Sequence, residues 1–143
     1  NFRNTLYRQT MFAHFEQKTH GMVENGEALT SNVLDREYSG LKQRYHKPVN
    51  LDERIEKEWM RIPHFYYNFY VYQYATGISA AETLVKKILD HGPKDYIEFL
   101  SKGSAEYPVD ALKDAGADMT SEEPVETAIE TYRKQIKEAR TKV

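Results

Sequence analysis

The chain reads as an all-α protein, on three observations. Apolar side chains recur every three or four residues along most of its length, as one buried helix face requires. No stretch alternates apolar and polar residues for long, as a half-buried strand would. Of the seven Gly and five Pro, all but Gly40 and Gly77 fall between the periodic stretches, where helices stop and start.

The elements follow in order. Residues 2–20 form a first helix with Leu6, Met11, Phe12, Phe15 and Thr19 on its inner face and Gly21 as its stop. Glu24-Asn-Gly-Glu27 is turn chemistry, and Thr30 or Ser31 caps a second helix that reaches about residue 47 with Val33, Leu34, Tyr38, Leu41 and Tyr45 inward. Pro48 closes it. Asn50 caps a third helix over 51–60, with Asp52 and Glu53 where the helix dipole favours acids. A long helix is expected to begin near Asn68 and run to His91 with Gly77 inside it, and close packing or ligand approach is expected to require that glycine. Gly92-Pro93 opens the next helix, which Gly103 ends. Pro108 to Gly116 frames a short one, and Thr120-Ser-Glu-Glu-Pro124 leads into a last amphipathic helix carrying Val125, Ile129, Tyr132 and Ile136.

Length and composition narrow the function classes. The 143 residues, 40% apolar and 29% charged, suit one domain over 1–143 with a single core. Twenty bases are interspersed among 22 acids, which argues against the basic stripe of a nucleic-acid binder. No apolar run approaches the ~20 residues needed to cross a bilayer. The absence of Cys removes disulfides, thiolate nucleophiles and Cys-type zinc sites together, and agrees with a cytoplasmic location. The chain opens at Asn1-Phe-Arg-Asn4 without Met, and reads as part of a longer protein.

Chemistry concentrates in one stretch, Arg61-Ile-Pro-His-Phe-Tyr-Tyr-Asn-Phe-Tyr-Val-Tyr-Gln-Tyr-Ala-Thr-Gly77. Residues 65–74 hold seven aromatic rings, five of them phenols, directly after His64. Each phenol buried without a partner costs about 1–3 kcal/mol, so burial alone does not explain five of them. Two readings stay open from the residues. The run is an aromatic-rich core helix with His64 bonded to a nearby carbonyl, or the phenols and His64 donate hydrogen bonds to a ligand in a cleft. Other chemistry is poorly served. There is no His-Glu-x-x-His and no His pair at i, i+4, and His14 and His20, six apart, fall on different helix faces. His14, His20, His46 and His91 read as surface or capping histidines. No Gly-x-Ser-x-Gly or phosphate-binding glycine loop is present.

Leu6-Tyr-Arg-Gln-Thr-Met-Phe-Ala-His-Phe-Glu16 and Trp59-Met-Arg-Ile-Pro-His-Phe-Tyr-Tyr-Asn-Phe-Tyr-Val-Tyr-Gln-Tyr-Ala-Thr-Gly77 resemble the C-terminal end of oligoendopeptidase F, within the zinc metallopeptidases of the thimet-oligopeptidase type. The likeness continues through Gly103-Ser-Ala-Glu-Tyr-Pro108 and Leu112-Lys-Asp-Ala-Gly-Ala-Asp-Met119, and so covers essentially the whole chain. The resemblance implies a multi-helix C-terminal part of a larger, mostly helical catalytic domain. In that family a His-Glu-x-x-His helix and a later Glu hold zinc and activate water, at positions before those seen here. What the resemblance implies for this chain is the opposite wall of the cleft, where His64 and Tyr72 act on substrate and the oxyanion. Tyr67, Tyr70 and Gly77 are then substrate-binding candidates. The thimet-type enzymes carry Tyr-Tyr-Gly-Tyr where this chain has Phe69-Tyr-Val-Tyr72.

The expected whole protein therefore hydrolyses internal bonds of short peptides with zinc, whereas this segment alone is expected to be inactive and to bind no zinc. Its expected partners are peptide substrates and the remainder of the parent chain, with no nucleic acid and no membrane. Self-association of the segment is expected because the aromatic run loses its cover. A non-catalytic helical module that binds a peptide or partner helix is the rival reading, and an independent helical scaffold is a third.

Overall fold

The computed structural model describes residues 1–141, and their regular structure is helical, with no strand among the described residues. A π-helical turn, Arg3–Arg8, leads into α1, Gln9–Glu24. Next come α2, Ser31–Tyr45, and two 3-10 segments, Glu53–Arg61 and Pro63–Tyr66. The remaining helices are α3, Gln73–His91; α4, Lys94–Lys102; α5, Pro108–Asp114; and α6, Glu123–Arg140. Residues 142 and 143 of the expected domain lie outside the described residues.

The all-α expectation holds, and the boundaries differ from it where local chemistry competes. The Thr30 hydroxyl accepts from the Val33 amide at 3.3 Å, as an N-cap should. α1 runs past Gly21, because an interior glycine weakens a helix by about 1 kcal/mol without forbidding it. It ends where Gly26 takes φ +80, a conformation that glycine adopts freely. The third helix is 3-10 rather than α, and Asp52 rather than Asn50 caps it by accepting from the Arg54 amide at 2.9 Å. α3 starts five residues later than Asn68, because Phe69 stands at φ +56, outside any right-handed helix.

The chain divides into two units, one of Asn1 and residues 3–74, the other of Phe2 and the residues from Ala75 on. In the first, Met11, Phe12 and Phe15 of α1 pack with Tyr38 and Leu41 of α2, and with Ile62 and Val71. Phe65 closes this core, its ring 5.8 Å from Phe12 and 5.3 Å from Phe15. Three carboxylates of this unit are buried, those of Glu16, Asp35 and Glu58. Glu58, 5% exposed, accepts from Arg8 at 2.5 Å and from the Tyr38 hydroxyl at 2.7 Å, and pairs with Lys42 at 2.5 Å and Arg61 at 3.3 Å. Asp35 makes a second polar tie, accepting from the Trp59 indole at 2.8 Å and from Lys57 at 2.6 Å.

The second unit packs small residues. Ala80 and Leu84 of α3 meet Ala115 and Ala117, flanked by Tyr96, Phe99, Leu112 and Met119. The Lys87 ammonium crosses over Gly116 to donate to the Ala115 carbonyl at 3.2 Å. Phe2 stacks on Tyr132 at 5.4 Å. Lys102 of α4 reaches both Glu106 and Asp114, and those two acids push its ammonium well above the ordinary lysine range.

Burial alone would raise the Glu58 carboxyl, but hydrogen bonds from Lys42, Tyr38 and Arg8 outweigh it and bring it down from 4.5 to about 2. A depressed carboxyl stabilises the fold fully above its unfolded value and loses that contribution as pH falls through the folded one. The Glu58 contribution should therefore disappear between about pH 4.5 and about pH 2, seen as a falling urea midpoint. Glu58→Gln should flatten this part of the profile, and an unchanged acid slope would remove Glu58 as its cause. Glu58→Ala should cost about 3–5 kcal/mol, because it leaves the buried Lys42 ammonium unpaired.

Candidate functional site

His64 is placed by the residues on each side of it. Ile62 is buried in the first unit's core, Pro63 fixes the backbone at the start of a single 3-10 turn, and the His64 carbonyl accepts from the Tyr67 amide at 3.0 Å. The imidazole then lies nearly parallel to the Tyr70 ring, centroids 6.1 Å apart, and edge-on to Tyr74 at 5.4 Å. Its Nε2 and the Tyr74 hydroxyl are 3.2 Å apart, within hydrogen-bond reach. Its Nδ1 is buried and has no hydrogen-bond partner among the described residues. Tyr70 also meets Tyr74 edge-on at 5.7 Å and Tyr67 at 6.5 Å.

Pro63, His64, Tyr67 and Tyr70 line an open pocket of about 280 Å³. The hydrogen bond with Tyr70, and after it partial burial, raise the Tyr74 phenol above its ordinary 10. Tyr74 therefore remains protonated at neutral pH and keeps a proton to donate. Imidazole and three phenols thus form one cluster of hydrogen-bonding groups at a surface, with Tyr67 67% exposed.

Tyr72 belongs to a different place. It lines a larger hollow of about 540 Å³ in the same unit, with His14, Glu16, Tyr45 and Phe69. Its phenol is 51% exposed. The expected pair of His64 and Tyr72 is thus split between two pockets, and the ring partners of His64 are Tyr70 and Tyr74. The stretch between the two pockets turns at Phe69. A residue at φ +56 turns the chain between Asn68 and Tyr70, so the phenols do not follow the regular rotation of a helix.

Gly77 lies in the second unit, exposed on α3, and a Cβ built there meets nothing within 4 Å. Close packing within this chain does not require a glycine at that position, which leaves ligand approach as the other expected reason for it. The other histidines are mostly peripheral. His14 sits edge-on to Tyr45 at 6.3 Å, His46 Nδ1 lies 3.1 Å from the Lys42 carbonyl, and His91 is the last residue of α3. The His20 ring is half-buried and lies 4.6 Å from that of the exposed Phe69.

Two contributors escaped sequence reasoning. Tyr74 was one phenol among five, and nothing in its spacing marks it as the partner of His64. Glu16 carried a signal, since it stands at helical spacing among Phe12, Phe15 and Thr19 on the apolar face of α1. It is buried there and accepts from the Phe69 amide at 2.9 Å. Among the described residues, no group of three or more His, Asp or Glu side chains could hold a metal ion.

Comparison with known proteins gives a family. Residues 1–131 match the model of Peptidase family M3. Oligopeptidase PepF of Bacillus subtilis (strain 168) is 49% identical over 141 residues, which are 96% of this chain and 21% of that protein. The plasmid-borne oligoendopeptidase F of Lactococcus lactis subsp. cremoris is 42% identical over 142 residues, 96% of this chain and 24% of that one. The crystal structure of oligoendopeptidase-F from Enterococcus faecium superposes with a TM-score of 0.94 at 44% identity, over 98% of this chain and 28% of that chain. The chain thus spans 21% to 28% of the length of these relatives.

The Tyr70–Tyr74 bond can be read directly in an alkaline titration followed by site-resolved NMR of the tyrosine Cζ carbons. Tyr74 should ionise above the ordinary 10, and Tyr70→Phe should bring it back toward that value. If Tyr74 titrates identically in both proteins, Tyr70 is not what holds its proton.

Proposed function

The chain belongs to peptidase family M3, and from that membership we propose that it is the C-terminal helical part of the catalytic domain of a zinc-dependent, cytoplasmic oligoendopeptidase. The whole protein hydrolyses internal bonds of short peptides, and this segment supplies hydrogen-bond donors along one wall of the cleft. His64 and Tyr72 steady the oxyanion and the adjoining substrate backbone, while Tyr67 and Tyr70 bind substrate beside His64. Gly77 gives an extended peptide access to the backbone of α3.

The observation that carries this reading is the open cluster of imidazole and protonated phenols at His64, Tyr67, Tyr70 and Tyr74. Neutral phenols suit the task. A donor aimed at an oxygen that gains charge only in the transition state stabilises it by roughly 2.7–4 kcal/mol. The exposure of Tyr67 and Tyr72 leaves their hydroxyls free to meet a ligand. The buried Nδ1 of His64, unpaired among the described residues, marks a position whose polar chemistry the core does not complete. In this reading the zinc that the family implies is held by other parts of the whole protein. The role assigned to this segment is hydrogen bonding and substrate placement. No helix among the described residues is long and apolar enough to cross a membrane.

Kinetics of the whole protein test the assignment. Tyr72→Phe should lower kcat by roughly 10²–10³ with little change in KM, the signature of an interaction made only in the transition state. An unchanged kcat would take Tyr72 out of the mechanism. Gly77→Ala should stabilise α3 by about 0.5–1 kcal/mol, because the added methyl meets no neighbour. If substrate backbone passes at Gly77, the same variant raises KM and leaves kcat alone; an unaltered KM would mean that no substrate comes that close.

A further inference from the structure

The turn that carries the candidate phenols is held in an unfavourable conformation by groups that the proposed chemistry does not use. Phe69, at φ +56, is the one non-glycine residue with positive φ among the described residues. A bulky side chain adopts that region only when its surroundings impose it. Two groups on α1 impose it here. The Glu16 carboxylate accepts from the Phe69 amide at 2.9 Å, and the His20 ring lies 4.6 Å from the Phe69 ring. Glu16 and His20 are four residues apart, so a single face of α1 grips both the backbone and the side chain of Phe69. Glu16 is 5% exposed, and a buried carboxylate is tolerated only where hydrogen bonds replace its water.

The consequence lies in what the turn would do without this grip. Asn68 is a good helix cap, and the residues after it have helical spacing, so the local sequence favours starting α3 at Asn68. In such a helix Tyr70 and Tyr74 would share one face and Tyr72 would rotate with the spiral. Phe69 at φ +56 delays the helix to Gln73, so Tyr70 and Tyr72 leave the chain from this turn rather than from a helix, and they line separate pockets.

We propose that Glu16 is a positioning residue for the peptidase reaction: by holding the Phe69 amide it sets the directions in which Tyr70 and Tyr72 leave the turn. The proposal rests on the reading of His64 and Tyr72 given above. Glu16 lines the hollow that holds Tyr72, and the role assigned to it is exerted through the backbone of Phe69.

The test uses the whole protein, with cleavage of a short internally quenched peptide and amide hydrogen exchange at residues 68–72. Glu16→Ala should lower kcat roughly 10- to 100-fold, the effect of misplacing a reacting group by about 1 Å, while KM stays within about twofold. Exchange at the Phe69 amide should accelerate in the same variant. Glu16→Gln keeps an acceptor oxygen and should restore both kcat and slow exchange. A merely structural Glu16 would lower the melting temperature and the folded fraction without changing kcat per folded molecule, and that result overturns the proposal. So does unaltered exchange at Phe69 in Glu16→Ala, which would mean that no grip exists. Faster exchange with unchanged kcat overturns it as well. Tyr72→Phe measured alongside then separates the two ideas: a low kcat in that variant keeps the proposed site while Glu16 loses its role, and an unchanged kcat removes the site itself.

Discussion

Glu58 is the constraint on which the first unit depends. Its carboxylate draws together the π-helical turn through Arg8 and α2 through Tyr38 and Lys42, while Arg61 ties it to its own 3-10 segment. Lys42 is 3% exposed, so each charge would be costly alone and the two are tolerable only as a bonded set. Burial and the neighbouring carboxylate hold the Tyr38 phenol far above its ordinary range, which keeps it a donor under all mild conditions. Because Glu58 stands four residues before Ile62, the chain leaves this polar centre anchored and enters the core directly ahead of His64. The position of the imidazole is thus inherited from a salt bridge inside the protein.

The aromatic stretch continues the same logic with weaker forces. Ile62, Phe65 and Val71 belong to or pack on the core, and the phenols between them point outward. The run is neither wholly buried nor wholly exposed. Its apolar members hold it down, and its tyrosines divide between two pockets on either side of a turn at positive φ. Rings packed on rings limit the freedom of the His64 side chain.

The aromatic stretch is neither wholly core nor wholly surface. Phe65 packs against the core, while Tyr67 and Tyr72 are exposed. The bland partner expected for His64 was a carbonyl, and its actual neighbours are phenols. Spacing could not have separated these, because which tyrosine reaches His64 depends on the turn at Phe69, and that turn depends on a carboxylate 53 residues earlier.

By itself the sequence determined the all-α class, several of the places where helices stop, a cap at Thr30 or Ser31, and the aromatic stretch as the place to look for chemistry. These follow from local physics: helical periodicity, glycine and proline geometry, and side-chain capping act within a few residues and leave their mark on the string. The long specific motifs also disclosed the family. Tertiary structure alone decided that residues 53–61 wind as a 3-10 helix around a buried Glu58, that α3 waits until Gln73, and that His64 meets Tyr70 and Tyr74 while Tyr72 joins His14 and Glu16. Each of those outcomes sets a local preference against a partner distant along the chain. The distant partner prevails because a bonded group inside the core is worth more than the helix propensity of a few residues.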